Sequence, residues 1–266
     1  MLYPVYISSS ENKHVKTLKQ IFEFPKKHAP FVLVEGIKHV FDFAESSHYR
    51  LVRWFIDEIF DFTLLNDYQD QLDKSKVTFI KSGVFSDISE IKTSQGIIGL
   101  FERTYNIEET ASFSFEEPTF ILDCITDPGN MGTIIRTAVA FGRKQIIILG
   151  GVYPESPKVI RASAGLLGRI RILRTSFEEF ARLIVQKNIP CIGTKATGEM
   201  VENISLAVRR KSFIILGNEA NGINSFWDSF HFQHAAIPMS SGVESLNVSV
   251  VGGIFSYLFW GAKSDE

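Results

Sequence analysis

The sequence has few features of a secreted, metal-loaded or membrane-spanning protein. It has two cysteines, Cys124 and Cys191, both in apolar runs. That sparse usage argues against a disulfide framework and for two buried thiols in a reducing compartment. The six histidines are scattered and no Cys/His cluster has zinc-ligand spacing, so no metal is expected. No stretch approaches the roughly 18 uninterrupted apolar residues of a membrane span. Met1-Leu2-Tyr3-Pro4 lacks a charged segment followed by an apolar run, so no secretory signal is expected and a cytoplasmic location is. There is no Walker A loop, and no G-x-G-x-x-G follows the first strand of the C-terminal half, which argues against an ordinary dinucleotide fold.

Charge is nearly balanced, at −2 over 266 residues, so the chain is not a uniformly basic nucleic-acid binder. Its distribution says more. Residues 1–106 carry 13 Lys/Arg against 14 Asp/Glu, residues 107–117 carry four glutamates and no base, and residues 118–175 carry 8 Lys/Arg against 3 Asp/Glu. One positive stretch in a slightly acidic protein suits either contact with a few phosphates or a solvated helix face.

Residues 5–28 carry Val15, Leu18, Ile21 and Phe22 at helical spacing and predict a helix ending before Pro25. Short apolar runs at 31–36, 54–56, 62–65, 76–80 and 96–101 predict strands of a small α/β domain over 1–106. The acidic segment 107–117 lacks a period and predicts a linker. From Pro118 onward, apolar strands at 119–123, 145–149, 171–173, 190–194, 212–216 and 235–238 alternate with helices at 132–141, 159–167, 177–186 and 245–260. That alternation predicts a parallel sheet covered on both faces, in a domain over 118–266.

The polar, glycine-bearing turns of this half lie late, after the strands ending at Gly193, Leu216 and Ile237, so a ligand would be gripped by three C-terminal loops. Three segments stand out. Asp127-Pro128-Gly129-Asn130 is turn chemistry leading into a helix N-terminus, which favours an anion, and Arg136 follows on the same helix. Capping plus a surface arginine is the plainer alternative. Leu216 to Ile223 is a strand ending in Gly217-Asn218-Glu219, which a hairpin turn also explains. Ile237 to Val250 brings Ser245 and Asn247 to a helix start, where capping accounts readily for one of the two.

Together these segments resemble the SpoU, or TrmH-like, branch of the SPOUT methyltransferases. Asp127 to Ala138 is similar to that family's D-P-x-N-x-G-x-x-x-R-T-A motif, and Gly217 to Ile223 to its G-N-E-x-x-G-[LI]. Ile237 to Val250 is similar to I-P-M-x-G-x-x-x-S-L-N-V-S-V, with one extra serine before the glycine. Each segment alone is weak; the ordered trio is specific and covers about 118–262. Residues 1–105 more weakly resemble the ribosomal-protein-like substrate-binding domain often fused upstream, through Asn12–Leu18 and Val34-Glu35-Gly36.

The resemblance implies an S-adenosylmethionine-dependent RNA ribose 2′-O-methyltransferase with a deep trefoil knot. It also implies a homodimer, with its active site completed near the subunit interface. It makes Thr194, Gly217, Ile237 and Leu246 cofactor contacts, and Asn130, Arg136, Glu219, Ser245 and Asn247 catalytic residues. Because an arginine guanidinium keeps its proton in proteins, Arg136 is expected to bind phosphate and stabilise a developing alkoxide rather than take the proton. Glu219 is the fallback base. Ribosomal RNA is the favoured substrate; tRNA, or a non-catalytic RNA-binding role, are the alternatives. Arg161, Arg169, Arg171 and Arg174 are the preferred RNA contacts outside the site. Lys13, Lys16, Lys19, Lys26 and Lys27 are weaker candidates.

Overall fold

Uninterrupted Val, Ile and Phe runs favour buried strands, and apolar residues three or four apart favour helices. The computed structural model of the chain describes residues 5–111, 113–230 and 232–260. The Met1–Pro4 start, read above for a secretory signal, lies outside them, as do the outer ends of both expected domain spans. Two compact units are present: residues 1–105 together with 155–169, and residues 106–154 together with 170–266.

The first unit contains β1 (Tyr6–Ile7), α1 (Lys13–Glu23), β2 (Phe31–Glu35), α2 (Ile37–Ala44), β3 (Tyr49–Asp57), β4 (Val77–Ile80), α3 (Ser82–Ile88) and β5 (Ile97–Arg103). Its mixed sheet has the order β1-β4-β3-β5-β2. Two expectations fail here. Residues 5–28 are not one helix: Asn12 Oδ1 accepts from the His14 amide at 2.9 Å and starts α1 at Lys13, after a short strand. Phe62–Leu65 is a 3-10 turn, not a strand. The Asp61 carboxylate accepts from both the Thr63 amide (2.9 Å) and the Thr63 hydroxyl (2.7 Å), closing the chain there.

Residues 155–169 come from much later in the chain, yet they belong to this unit. Glu155, 2% exposed, accepts from the Tyr49 hydroxyl at 2.7 Å and from the Arg103 guanidinium at 2.5 Å. Burial pushes the Tyr49 phenol well up, and the Glu155 charge pushes it the same way. A buried carboxylate is tolerated only when paired, and breaking such a pair costs about 3–5 kcal/mol.

The second unit runs β6 (Phe120–Asp123), α4 (Pro128–Ala140) and β7 (Gln145–Leu149). After α5 (Pro157–Ala162), which lies in the first unit, it resumes with β8 (Arg171–Thr175), α6 (Phe177–Lys187), β9 (Cys191–Met200), α7 (Leu206–Arg209), β10 (Phe213–Leu216), β11 (Gln233–Ala236) and α8 (Val248–Trp260). Six strands form one sheet in the order β11-β9-β10-β6-β7-β8, with every neighbouring pair parallel. β6, β7 and β10 are buried throughout, as a sheet covered on both faces requires. Cys191 is buried, and burial pushes its thiol up to about 12; Cys124 is only half-buried, and both thiols are free. The acidic segment 107–117 is not a loose tether. Ile107 and Phe113 are buried, and the Arg174 amide donates to the Ile107 carbonyl at 2.7 Å. No helix among the described residues is long and apolar enough to cross a membrane.

Candidate active site

The C-terminal ends of parallel strands are where open α/β sheets collect loops. Here β9, β10 and β11 end around a cavity of about 910 Å³, within the usual range for a small-molecule site. Its lining includes the apolar residues Ile223, Ile237, Met239, Leu246, Val251 and Phe255. A further part of the lining comes from an interruption in strand pairing. His234 of β11 is in register with Gly193 of β9, but the next residue, Ala235, is in register with Glu199. Residues 194–198 therefore leave the ladder, and Thr194 through Thr197 line the cavity.

Eight of the nine expected site residues line this cavity: Asn130, Thr194, Gly217, Glu219, Ile237, Ser245, Leu246 and Asn247. Gly217 begins a tight reversal in which Asn218 and Gly222 exchange backbone hydrogen bonds at 2.8 and 2.9 Å. Only glycine fits at 217, because a Cβ there would lie 2.3 Å from Gly222 C and Ile223 N. Thr194 lines the cavity, but its hydroxyl donates to the Ile215 carbonyl at 2.9 Å and so pins β9 to β10. Ser245 sits ahead of the closing helix, not within it. Asn247 starts α8, its Oδ1 accepting from the Ser249 amide at 2.8 Å and the Ser249 hydroxyl at 2.6 Å.

A chain of side-chain hydrogen bonds joins the three motif loops at the cavity. Asn247 Nδ2 donates to Asn130 Oδ1 at 3.0 Å, and Asn130 Nδ2 donates to Glu219 Oε1 at 3.0 Å. Glu219 also accepts from the Asp127 amide (3.2 Å), the Thr126 amide (3.3 Å) and the Thr126 hydroxyl (3.1 Å). Burial pushes its carboxyl up, but the bonds from Asn130 and from the backbone outweigh that and hold it below the usual carboxylate value. Its oxygens are thus engaged at the start of α4, and its negative charge is favoured.

Arg136 is the exception among the nine. It is exposed on α4 and does not line the cavity. Six residues at 3.6 per turn put it about 120° around the helix from Asn130, so the two leave the helix in different directions. Arg136 makes no ion pair or side-chain hydrogen bond with another described residue.

Two residues outside the expected site set also shape it. Asp123, fully buried at the end of β6, accepts through Oδ2 from the Asn224 amide at 2.7 Å and Trp227 Nε1 at 3.1 Å. Burial raises its carboxyl despite those bonds. Asn218 Nδ2 donates to the Cys124 carbonyl at 2.8 Å, while its Oδ1 accepts from the amides of Ala220 and Asn221. A carboxylate ending an apolar strand and an asparagine in a glycine turn were the available signals.

The arginines expected to contact RNA already have partners. Arg161 pairs with Glu90 at 3.2 Å, Arg169 with Asp42 at 3.2 Å and Arg174 with Glu108 at 3.7 Å. Arg161 and Arg169 lie in the first unit, so the positive stretch is divided between the two. Among the lysines, Lys16 pairs with Glu11 and Lys19 with Asp87, while Lys27 lies over Phe24. Partly exposed pairs of this kind contribute only about 0–1 kcal/mol, so a phosphate can displace the carboxylate.

A family model described as the SpoU rRNA Methylase family matches residues 117–257. The 23S rRNA (guanosine-2′-O-)-methyltransferase RlmB of Coxiella burnetii (strain RSA 493 / Nine Mile phase I) is 30% identical over 240 residues, 84% of this chain and 93% of that one. A crystal structure described as an RNA 2′-O ribose methyltransferase superposes with a TM-score of 0.76 at 26% identity, covering 95% of this chain and 97% of that one. The AdoMet-bound rRNA methyltransferase of Sinorhizobium meliloti has the same fold, with a TM-score of 0.79 at 24% identity over 95% of this chain and 96% of that one. By the extent of the family match and by the three motifs it brings around one cavity, this chain belongs to the SpoU rRNA methylase family.

Proposed function

We infer that this enzyme transfers a methyl group from S-adenosylmethionine to a ribose 2′-OH of ribosomal RNA. The observation that carries the reading is the Asn247–Asn130–Glu219 hydrogen-bond chain, which ties all three motifs to the rim of one cavity. The cavity fits the cofactor's parts: apolar lining residues for a purine, and a glycine-tight turn at Gly217 whose backbone stays close to the ligand space. Gly217, Ile237 and Leu246 hold the nucleoside, and Thr194 keeps the adjoining wall in position. Bound S-adenosylmethionine supplies an electrophilic methyl group on a sulfonium centre. Asn130, Ser245 and Asn247 orient the ribose. Arg136 binds the adjoining phosphate and stabilises the alkoxide that develops on the 2′-oxygen, while that phosphate or a water accepts the proton.

Arg136 serves the cavity of a second copy in this reading. The exposed apolar side chains Val250 and Tyr257 share one face of α8, which packs beside α4 and suits a homodimer interface. The family's knot belongs to the same reading, with the chain through β11 and α8 passing a preceding loop. The first unit, with 155–169 seated in it, serves as the RNA-binding domain. Arg136→Ala and Glu219→Gln should each be nearly inactive alone. Mixed and refolded in equal amounts, they should recover about a quarter of wild-type activity, since random pairing gives half heterodimers with one intact site each. No recovery would put both residues in the site of a single chain.

The activity itself is tested by ribose-methylation maps of total RNA from cells with and without the gene. A 2′-O-methyl mark missing from ribosomal RNA is expected, and a guanosine of 23S rRNA is the first position to inspect given the activity named for the Coxiella relative. A mark missing from tRNA instead would move the substrate to tRNA, and unchanged maps would overturn the assignment.

A further inference from the structure

The cavity is not uniformly apolar. Its lining also carries two opposite charges, Lys195 on the 194–198 excursion and Asp228 in the 3-10 turn Ser225–Ser229. Both flank His234. Burial pushes that imidazole below its ordinary value, the Lys195 charge pushes it the same way, and the Asp228 charge opposes them. Yet Lys195 and Asp228 do not bridge to each other, and neither side chain makes a hydrogen bond or ion pair with another described residue. Of the Lys and Arg side chains among the described residues, Lys195 alone lines the cavity. Of the three acidic ones that line it, Glu219 is committed to the α4 start, and Asp228, not Glu244, shares the surroundings of His234 with Lys195.

Two separated, unsatisfied charges of opposite sign beside an apolar pocket form a receptor for a zwitterion attached to an apolar body. We propose that Lys195 and Asp228 bind the amino-acid tail of the cofactor, Lys195 taking its α-carboxylate and Asp228 its α-ammonium. This rests on the cofactor assignment above and adds a division of labour. The apolar lining residues and the Gly217 turn recognise the nucleoside, and the 194–198 excursion recognises the tail. It also gives the excursion a purpose, because a continuous β9–β11 ladder would leave no free segment at the cavity.

The experiment is calorimetric binding of three ligands to the full-length protein without RNA. S-adenosylmethionine and S-adenosylhomocysteine carry the tail, and 5′-methylthioadenosine lacks it. Lys195→Met should weaken the two tailed ligands by roughly tenfold or more, the worth of one charge-assisted hydrogen bond, and leave 5′-methylthioadenosine unchanged. Asp228→Asn should act in the same direction. Unchanged affinity for the tailed ligands would overturn the assignment. So would equal weakening of all three. Retained binding of 5′-methylthioadenosine also reports that each variant is folded. The measurement needs no RNA, so a failure to find an RNA substrate and a failure of the tail site are separate results.

Discussion

Replacing Gly217 by alanine should remove cofactor binding while leaving the first unit folded. The added Cβ would meet backbone on the facing strand of the turn: Gly222 C and Ile223 N at 2.3 Å and Gly222 O at 2.6 Å. No rotamer relieves a clash between two backbones, so the turn must open, and with it the wall that the nucleoside lies against. Distorting backbone by this much costs several kcal/mol, which corresponds to a loss of affinity on the order of 100-fold or more. Gly222→Ala is the graded comparison. Its φ of +69° disfavours a side chain, but nothing lies within 4 Å of the new atom, so a loss of about tenfold is expected from conformational strain alone. Calorimetry with S-adenosylhomocysteine reads both, and an affinity for Gly217→Ala within threefold of wild type would refute the tight-turn argument.

Turnover should fall about 100-fold in Glu219→Gln, with cofactor affinity changed only a few-fold, since an amide in that place can no longer accept from every donor around it. Oε1 takes Asn130 and the Asp127 amide, and Oε2 takes Thr126 twice and the Asn218 side-chain amide. Turning one oxygen into an NH₂ sets donor against donor on one side. Hydrogen exchange separates this role from that of a proton acceptor. An anchor protects the Thr126 and Asp127 amides, and the variant should exchange them faster. Activity lost with both amides still protected would return Glu219 to the role of base. The pH behaviour follows from the lowered carboxyl. Its stabilisation of the loop is fully present above the unfolded carboxylate value. It is lost as the pH falls through the lower folded value, so protection of the two amides should hold at neutral pH and fail only in acid.

The strands of the second unit were readable because a sheet buried on both faces admits few polar residues, and Phe120–Leu122 and Ile146–Leu149 have none. The site loops were readable for the opposite reason, since Gly, Asn, Ser and Pro cluster where strands must end in open turns. What the residues alone did not disclose was direction and distance. Asn130 and Arg136 share a helix, and only the turn of that helix separates the residue in the cavity from the one outside it. Glu219 is a carboxylate in a polar loop, the usual description of a base, and the hydrogen bonds it accepts from Asn130, Thr126, Asp127 and Asn218 are visible only once the Thr126–Asp127 backbone is beside it. Phe62–Leu65 has strand composition, and a single capping aspartate overrides it. Arg103, Tyr49 and Glu155 are far apart in the chain, and no local pattern links them.

That last grouping has a consequence for how the protein is made. Synthesis delivers residues 1–105 first, but the carboxylate that Arg103 pairs with is Glu155, and the segment that completes the unit ends at Arg169. At about 5–20 residues per second, roughly 3–13 s pass between residue 105 and residue 169. During that interval β6, α4 and β7 are also emerging. Arg103 is therefore without its Glu155 partner during that interval, and the chain completes its first unit only after it has begun its second.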